Sequence, residues 1–279
     1  MIKILNTSKY FTTIATALCN LINRTYQGID CELVYDINLN SEDIYIIFDI
    51  KTMENTPKKY IVYNFEQLEV IDIEELFWNN IRKAQMIIDY SQSNIAFLKQ
   101  HNIDAKFLPL CWNRHMKIQN NTKFIDRRNN IMFIGYFNER RRDILKPIHS
   151  LCKERNYNMF LSNKCWEEEY KHMLSITKVA LNIHCYKGKT ILEVHRIIPY
   201  ILNKIWVISE RSNDEYYDTQ FDDLVTWSDS ENFTEHFSTI MDMNEEDIET
   251  ELLSRQRKLI EKCSYNNEMM EKLNISSFI

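Results

Sequence analysis

Three groups of residues carry types and spacings that can do chemistry. The first is the run 178–210, KVALNIHCYKGKTILEVHRIIPYILNKIWVISE, where a short basic loop (Lys187, Gly188, Lys189) separates an apolar run from an amphipathic stretch opened by Thr190, Ile191, Leu192 and Glu193. A helix start offers free N–H groups and the positive end of the helix dipole, so a loop of this kind favours an anion. Thr190 and Glu193 also have capping-box spacing, in which Glu193 would bond the Thr190 N–H. Ile191 and Leu192 fall on the apolar stripe, and Pro199 is expected to kink or shorten the helix. His184, at the end of the apolar run, reads equally as a packed hydrogen-bonded ring and as a proton carrier. The second group is GYFNERRRD (135–143). Gly135 permits close approach of a ligand to the backbone, and Arg140 and Arg141 open a helix, where a cation opposes the dipole unless an anion is bound. Arg142 reads equally as part of a solvated face. The third group is YNFEQ (63–67) with Asp89, Tyr90 and Ser91. Glu66 has the chemistry of a general base, or of a group that orients a ligand or caps a helix, and Ser91 fits an N-cap.

Those residues need elements to hold them. Apolar runs of strand length occur at 1–5, 31–37, 44–50, 59–65, 85–90 and 105–110, with helical spacing at 8–24, 74–83 and 91–101. Near-continuous apolar strands suit a parallel sheet covered on both faces, and strand–helix alternation implies right-handed βαβ units. The polar stretch KIQNNTKFIDRRNN (117–130) lacks apolar periodicity and reads as a linker. Alternation restarts at 130–135 and continues through a helix over 138–155, a strand at 158–162, a helix over 165–175, strands at 178–184, 205–210 and 224–228, and an acidic helical tail from about 230. The chain is therefore expected to be α/β, with two doubly wound domains facing a cleft. The predicted site residues lie at the carboxyl ends of the strands, where such sheets bind ligands.

Composition narrows the partners. With 279 residues and a net charge of −6, nucleic acid is not the expected partner, because a polyanion selects basic surfaces. Only 3 glycines are present, which excludes a glycine-rich phosphate loop. The 7 cysteines form no CxxC pair, so neither zinc nor a disulfide framework is expected, and a reducing cytoplasmic setting fits. No apolar run reaches the length of a membrane span, and Met1-Ile-Lys-Ile-Leu5 does not have the form of a signal peptide.

Five blocks, YIVYNFEQL (60–68), IIDYSQSNIAFLKQHNI (87–103), FLPLCW (107–112), IMFIGYFNERRRDIL (131–145) and the 178–210 run, resemble in order the successive blocks of group-1-like GT-B glycosyltransferases of bacteria and large viruses. The resemblance covers most of 44–228. It implies a Rossmann-like acceptor-side domain over 1–115, a nucleotide-sugar domain over 116–250, and a helical tail over 251–279 that packs back on the first domain. It implies a hexosyl- or pentosyltransferase that moves sugar from a UDP- or GDP-type donor to a hydroxyl of a glycan, protein or small molecule, with no metal and no cofactor beyond that co-substrate. By the same resemblance Glu193 would hold the donor ribose, and Gly135, Arg140, Arg141, His184, Lys187, Lys189, Thr190, Ile191 and Leu192 would complete the donor site. Glu66 and His184 would be the catalytic candidates, and Tyr63, Asn64, Gln67, Tyr90 and Ser91 would shape the acceptor side. If the source is a virus, the host cytoplasm is the setting. One departure matters: Cys185 stands where many retaining members carry a further Glu, so a two-glutamate site does not carry over. That departure keeps open an inactive relic that only binds nucleotide or glycan. Transfer to modified DNA is the other alternative.

Overall fold

The computed structural model describes residues 1–119, 122–188, 190–265, 269, 274 and 275. Two compact units result: Met1–His115 together with the described part of Tyr265–Ile279, and Met116–Ser264.

The first unit is built on β1 (Ile2–Leu5), α1 (Thr12–Thr25), β2 (Cys31–Val34), β3 (Ile44–Ile47), β4 (Tyr60–Asn64), α2 (Glu75–Lys83), β5 (Met86–Asp89), α3 (Gln92–Gln100) and β6 (Lys106–Phe107). The sheet order is β2-β1-β3-β4-β5-β6, with every pair parallel. Every residue of β3, β4 and β5 is buried, which explains their unbroken apolar sequence: crossover connections cover both faces. Each fully enclosed Ile or Val there contributes about 1.5–3 kcal/mol of apolar burial. Ser91 caps α3 as its type suggests, accepting from the Ser93 and Asn94 N–H groups.

The second unit follows with β7 (Asn129–Ile134), α4 (Glu139–Glu154), β8 (Met159–Ser162), α5 (Glu167–Ile176), β9 (Thr177–Asn182), α6 (Val194–Leu202), β10 (Trp206–Ser209), α7 (Glu215–Gln220), β11 (Thr226–Trp227), α8 (Phe233–Asp242) and α9 (Glu245–Lys262). Its sheet order is β11-β10-β9-β7-β8, again all parallel. In α4 the buried Arg141, Ile144, Leu145, Ile148 and Cys152 recur at helical spacing, so one polar residue, Arg141, sits on the face turned to the core. α6 runs through Pro199 and stops three residues later, where the Asn203 side chain bonds the Pro199 carbonyl. α9 passes without a break through residue 251, and its Ile248 and Leu252 belong to the core of this unit.

The stretch 117–130 is no loose tether. Phe124 is buried in the second unit's core, and Arg127 is buried with its guanidinium bonded to the carbonyls of Thr177 (2.7 Å) and Asn203 (2.9 Å). The Ile118 N–H is held by Asn203 Oδ1 at 2.9 Å. The expectation of a linker failed because one aromatic and one arginine anchor the segment without any periodicity.

Both sheets share one topological property. The strand order reverses between β1 and β3 in the first and between β7 and β9 in the second. In open parallel sheets that reversal opens a crevice at the carboxyl edge. Among the described residues no helix is long and apolar enough to cross a membrane. The seven cysteines, all among the described residues, form no disulfide.

Candidate functional site

At the β7/β9 reversal the turn before α6 is not a capping box. The helix begins at Val194, after Glu193, and the Glu193 side chain caps nothing. The Thr190 N–H goes instead to Asn213 Oδ1 (3.1 Å), and the Asn213 N–H returns to the Thr190 carbonyl (2.8 Å). Asn213 thus relieves Glu193 of backbone duty. The Glu193 carboxylate turns inward, where its Oε2 meets His184 Nδ1 at 2.8 Å and Asn182 Nδ2 at 3.0 Å. Its Oε1 is 3.7 Å from Arg141 Nη2, outside hydrogen-bond range, and accepts no hydrogen bond among the described residues.

The neighbours of His184 favour its protonated form: Nε2 faces the Arg211 carbonyl at 3.1 Å and Nδ1 lies 2.8 Å from Glu193 Oε2. Burial pushes the ring's pKa down, but the charge of Glu193 and its hydrogen bond, aided by Glu210, outweigh burial and raise it. Burial likewise pushes the Glu193 carboxyl up, while His184, Arg196 and Arg141 outweigh it and hold the carboxyl down at about 2. The raised imidazole contributes stability that is whole below its ordinary value of 6.5 and lost as pH rises through the higher folded value. The depressed carboxyl contributes stability that is whole above its ordinary value of 4.5 and lost only as pH falls toward about 2. Melting temperature, followed by scanning calorimetry, is therefore expected to fall on the alkaline side of 6.5, as pH rises through the folded value of His184. His184→Gln is expected to remove that alkaline fall.

Two arginines divide the work differently from the sequence expectation. Arg140 forks onto the Glu210 carboxylate, with Nη1–Oε2 at 3.0 Å and Nη2 against Oε1, and Nη1 also reaches the His184 carbonyl at 2.8 Å. Its side chain keeps 27% of its surface exposed. Arg141 is enclosed. Its Nε and Nη2 donate to the Ile183 carbonyl (2.9 and 2.6 Å) and its Nη1 to the Tyr136 carbonyl (3.0 Å), so it ties the loop after β7 to the end of β9 beneath the surface. Asn138 adds a second stitch, capping α4 through Arg141 N–H and donating to the Cys185 carbonyl. A Cβ built on Gly135 would lie 3.3 Å from Nη1 of both Arg141 and Arg196 and 3.1 Å from the Phe133 ring. Gly135→Ala is expected to displace one or both guanidiniums and weaken anion binding several-fold by calorimetric titration.

Sequence reasoning missed Arg196, Glu210, Asn182 and Asn213. Arg196 Nη1 is buried and has no hydrogen-bond partner among the described residues. Glu210, buried, accepts from Arg140 and from the His184 N–H (2.8 Å), and Asn182 links Glu193 to Ser209. The signal was present: Asn182 and Glu210 are polar residues within or just past apolar runs, at the carboxyl edge. Arg140, Arg141, Arg196 and His184 gather around two carboxylates, Glu193 and Glu210, so basic groups outnumber these carboxylates at the crevice. A cavity of about 430 Å³ lined by Arg211, Ser212, Asn213, Glu215, Asp218, Thr219 and Asp222 adjoins this cluster through Arg211 and Asn213.

The remaining predicted residues fall into two sets. Thr190, Ile191 and Leu192 are buried, Cys185 is half-buried with Sγ 3.6 Å from Asn138 Nδ2, and Lys187 is exposed beside Gly188, whose φ of +71° is the left-handed region. Lys189 lies outside the described residues. In the first unit Tyr63, Asn64, Tyr90 and Ser91 are each 1% exposed or less. Tyr63 bonds the Leu108 carbonyl (2.8 Å), Asn64 bonds Asp89 (2.7 Å), and Tyr90 stacks on Phe65. Tyr63, Asn64 and Ser91 thus bond groups of their own unit. Glu66 is 31% exposed but paired with Lys51 at 2.7 Å, and Gln67 is half-buried.

No family model and no curated protein matches the sequence. Solved structures do match along the whole chain. An alpha-glucosyltransferase in complex with UDP and a 13-mer DNA containing an HMU base superposes with a TM-score of 0.66 at 12% identity, over 98% of this chain and 97% of that one. Anabaena Alr3699/HepE in complex with UDP-glucose gives 0.59 at 11% identity, covering 99% of each chain. WaaG, a glycosyltransferase involved in lipopolysaccharide biosynthesis, gives 0.56 at 9% identity, covering 98% of each. Likeness at this identity establishes the fold: the chain has the two-domain α/β GT-B fold of these glycosyltransferases, as the sequence blocks suggest.

Proposed function

We propose that the chain is a glycosyltransferase that moves a hexosyl or pentosyl group from a nucleoside-diphosphate sugar to an acceptor hydroxyl. The observation that carries this reading is the cationic excess at the β7/β9 crevice, which matches the charge of a diphosphate. The bond from the anomeric carbon to the diphosphate breaks with its electron pair going to the diphosphate oxygen. Fixed cations stabilise that growing charge. Arg140 is the half-open arginine, Arg196 has a donor to spare, and the N-terminus of α6 adds its dipole. In this reading the cations do the work of a metal. Glu193 Oε1, left free while Oε2 holds His184 and Asn182, accepts from the ribose hydroxyls. His184, with both nitrogens committed, holds Glu193 and lends charge; it is not a proton carrier.

The test is release of nucleoside diphosphate from a panel of uridine, guanosine, adenosine and thymidine diphosphate sugars, with and without EDTA. Release from one class, undiminished by EDTA, is the expected result. Release from none contradicts the reading and leaves a nucleotide- or glycan-binding relic. The glucosyltransferase complexes with DNA favour one second reading, in which the acceptor hydroxyl belongs to a modified base. The net charge of −6 works against it. Transfer to hydroxymethylated duplex, with binding that weakens steeply as salt rises, would support it.

A further inference from the structure

Among the described residues the two sheets end in four outer strands, β2, β6, β11 and β8, and three of them are blunted. β6 and β11 are two residues long. β2 carries the exposed Glu32, whose carboxylate is 3.5 Å from Lys3 Nζ on the neighbouring strand. Short length and an edge charge are devices that keep a strand from pairing with another chain. β8 has neither. It is four residues long, Met159-Phe160-Leu161-Ser162, and no charged residue and no proline stand between Arg155 and Lys164. Leu161 keeps 40% of its surface exposed, and Met159, Phe160 and Ser162 are half-buried.

The ladder with β7 fixes which groups this edge offers. The carbonyls of Asn158 and Ser162 accept from the N–H groups of Ile131 (3.3 Å) and Gly135 (2.8 Å). Bonds to one neighbour fall on alternate residues of a strand, so Asn158, Phe160 and Ser162 face β7. Met159 and Leu161 therefore turn their N–H and C=O groups away from the sheet. Side chains alternate as well: Met159 packs against the core of the unit and Leu161 shares that face, while Phe160 lies on the other.

The edge is self-complementary. Set a second copy of β8 antiparallel to the first, with Phe160 opposite Phe160. Met159 of each copy then stands opposite Leu161 of the other, and these outward-facing pairs exchange about four N–H···O=C bonds. Phe160 meets its own copy at the close position without hydrogen bonds, where paired aromatic rings are favourable. Asn158 falls opposite Ser162, so polar residues close both ends of the apolar centre. An unrelated peptide would have to match this pattern; a second copy carries it by symmetry.

We propose that the chain forms a two-fold dimer in which the β8 strands of two copies pair antiparallel about Phe160 and join two five-stranded sheets into one. Because the strands run in opposite directions, the carboxyl edges of the two sheets, with their crevices, face opposite ways. The dimer uses none of the charged groups of the crevice and stands whether or not the glycosyltransferase reading does.

Sedimentation velocity on the full chain, without ligand, reads the assembly over about 1–200 µM, a range that an interface of modest area populates. A reversible equilibrium of monomer and dimer is expected. Leu161→Lys puts a charge on the edge and is expected to weaken the dimer at least ~10-fold. Leu161→Pro, which removes an outward N–H and no bond to β7, is expected to do the same. Leu39→Lys is the control, at a leucine 42% exposed in the first unit, and is expected to leave dimer affinity unchanged. Hydrogen exchange on the unaltered chain locates the pairing without any variant, and decides alone if a variant fails to fold. The amides of Met159 and Leu161 are expected to exchange more slowly as concentration rises through the dimer midpoint, while that of Phe160, held by β7, does not change. A chain that stays monomeric at the highest concentration overturns the proposal. So does a dimer that a folded Leu161→Lys leaves intact, one that Leu39→Lys weakens equally, or exchange at Met159 and Leu161 that ignores concentration. Association that continues past two copies contradicts the closed pairing as well.

Discussion

Glu193→Gln is expected to weaken nucleoside-diphosphate binding by about 10- to 100-fold. A hydrogen bond to a charged group contributes about 1.5–3 kcal/mol, and each 1.4 kcal/mol is tenfold in affinity. The substitution keeps the shape of the side chain and removes its charge. Two effects then act together. The ribose loses a carboxylate oxygen that can accept from two hydroxyls. His184 loses the partner that keeps its second proton, and the ring becomes an ordinary buried histidine. Calorimetric titration with uridine and guanosine diphosphates reads the first effect. A His184 that titrates at lower pH by NMR reads the second. Unchanged affinity with a shifted His184 would show that Glu193 is an internal counter-ion and does not meet the donor.

The second large effect is on stability. Arg141→Met is expected to destabilise the second unit by about 3–5 kcal/mol, the cost of removing one partner from a buried charged network. Arg141 is 1% exposed, and three hydrogen bonds from its guanidinium hold the carbonyls of Ile183 and Tyr136. Methionine fills much of the volume over the Phe133 ring but satisfies neither carbonyl and leaves Glu193 with one cation fewer. For a domain of this size the melting temperature falls on the order of 10 °C. Arg140→Ala is the contrast. That side chain is partly exposed, so its removal is expected to weaken nucleotide binding with a much smaller change in melting temperature. Equal destabilisation by both substitutions would deny the division between an arginine that builds the site and one that meets the ligand.

That division marks how far the sequence could be read. The alternation of elements was legible because parallel strands covered on both faces leave unbroken apolar runs; the run at 59–65 becomes Tyr60–Asn64, and the helix over 138–155 becomes Glu139–Glu154. The two basic stretches were legible as strand-to-helix turns as well: the loop after β7 leads into α4 and the loop after β9 into α6. The pairing inside the site was not. Nothing local says that Asn213 releases Glu193 from capping, that Glu210 takes Arg140, or that Arg141 turns in to the Ile183 carbonyl while Arg140 stays half-open, because each depends on a partner 20 or more residues away.

The most direct measurement is calorimetric titration of the chain with a nucleoside, its monophosphate and its diphosphate, in EDTA. A crevice where the guanidiniums of Arg140 and Arg196 meet the donor predicts that affinity rises with each phosphate, with the diphosphate at least tenfold tighter than the monophosphate and the bare nucleoside weakest. Equal affinities across the three, or a diphosphate that binds only when a divalent cation is restored, would contradict the account.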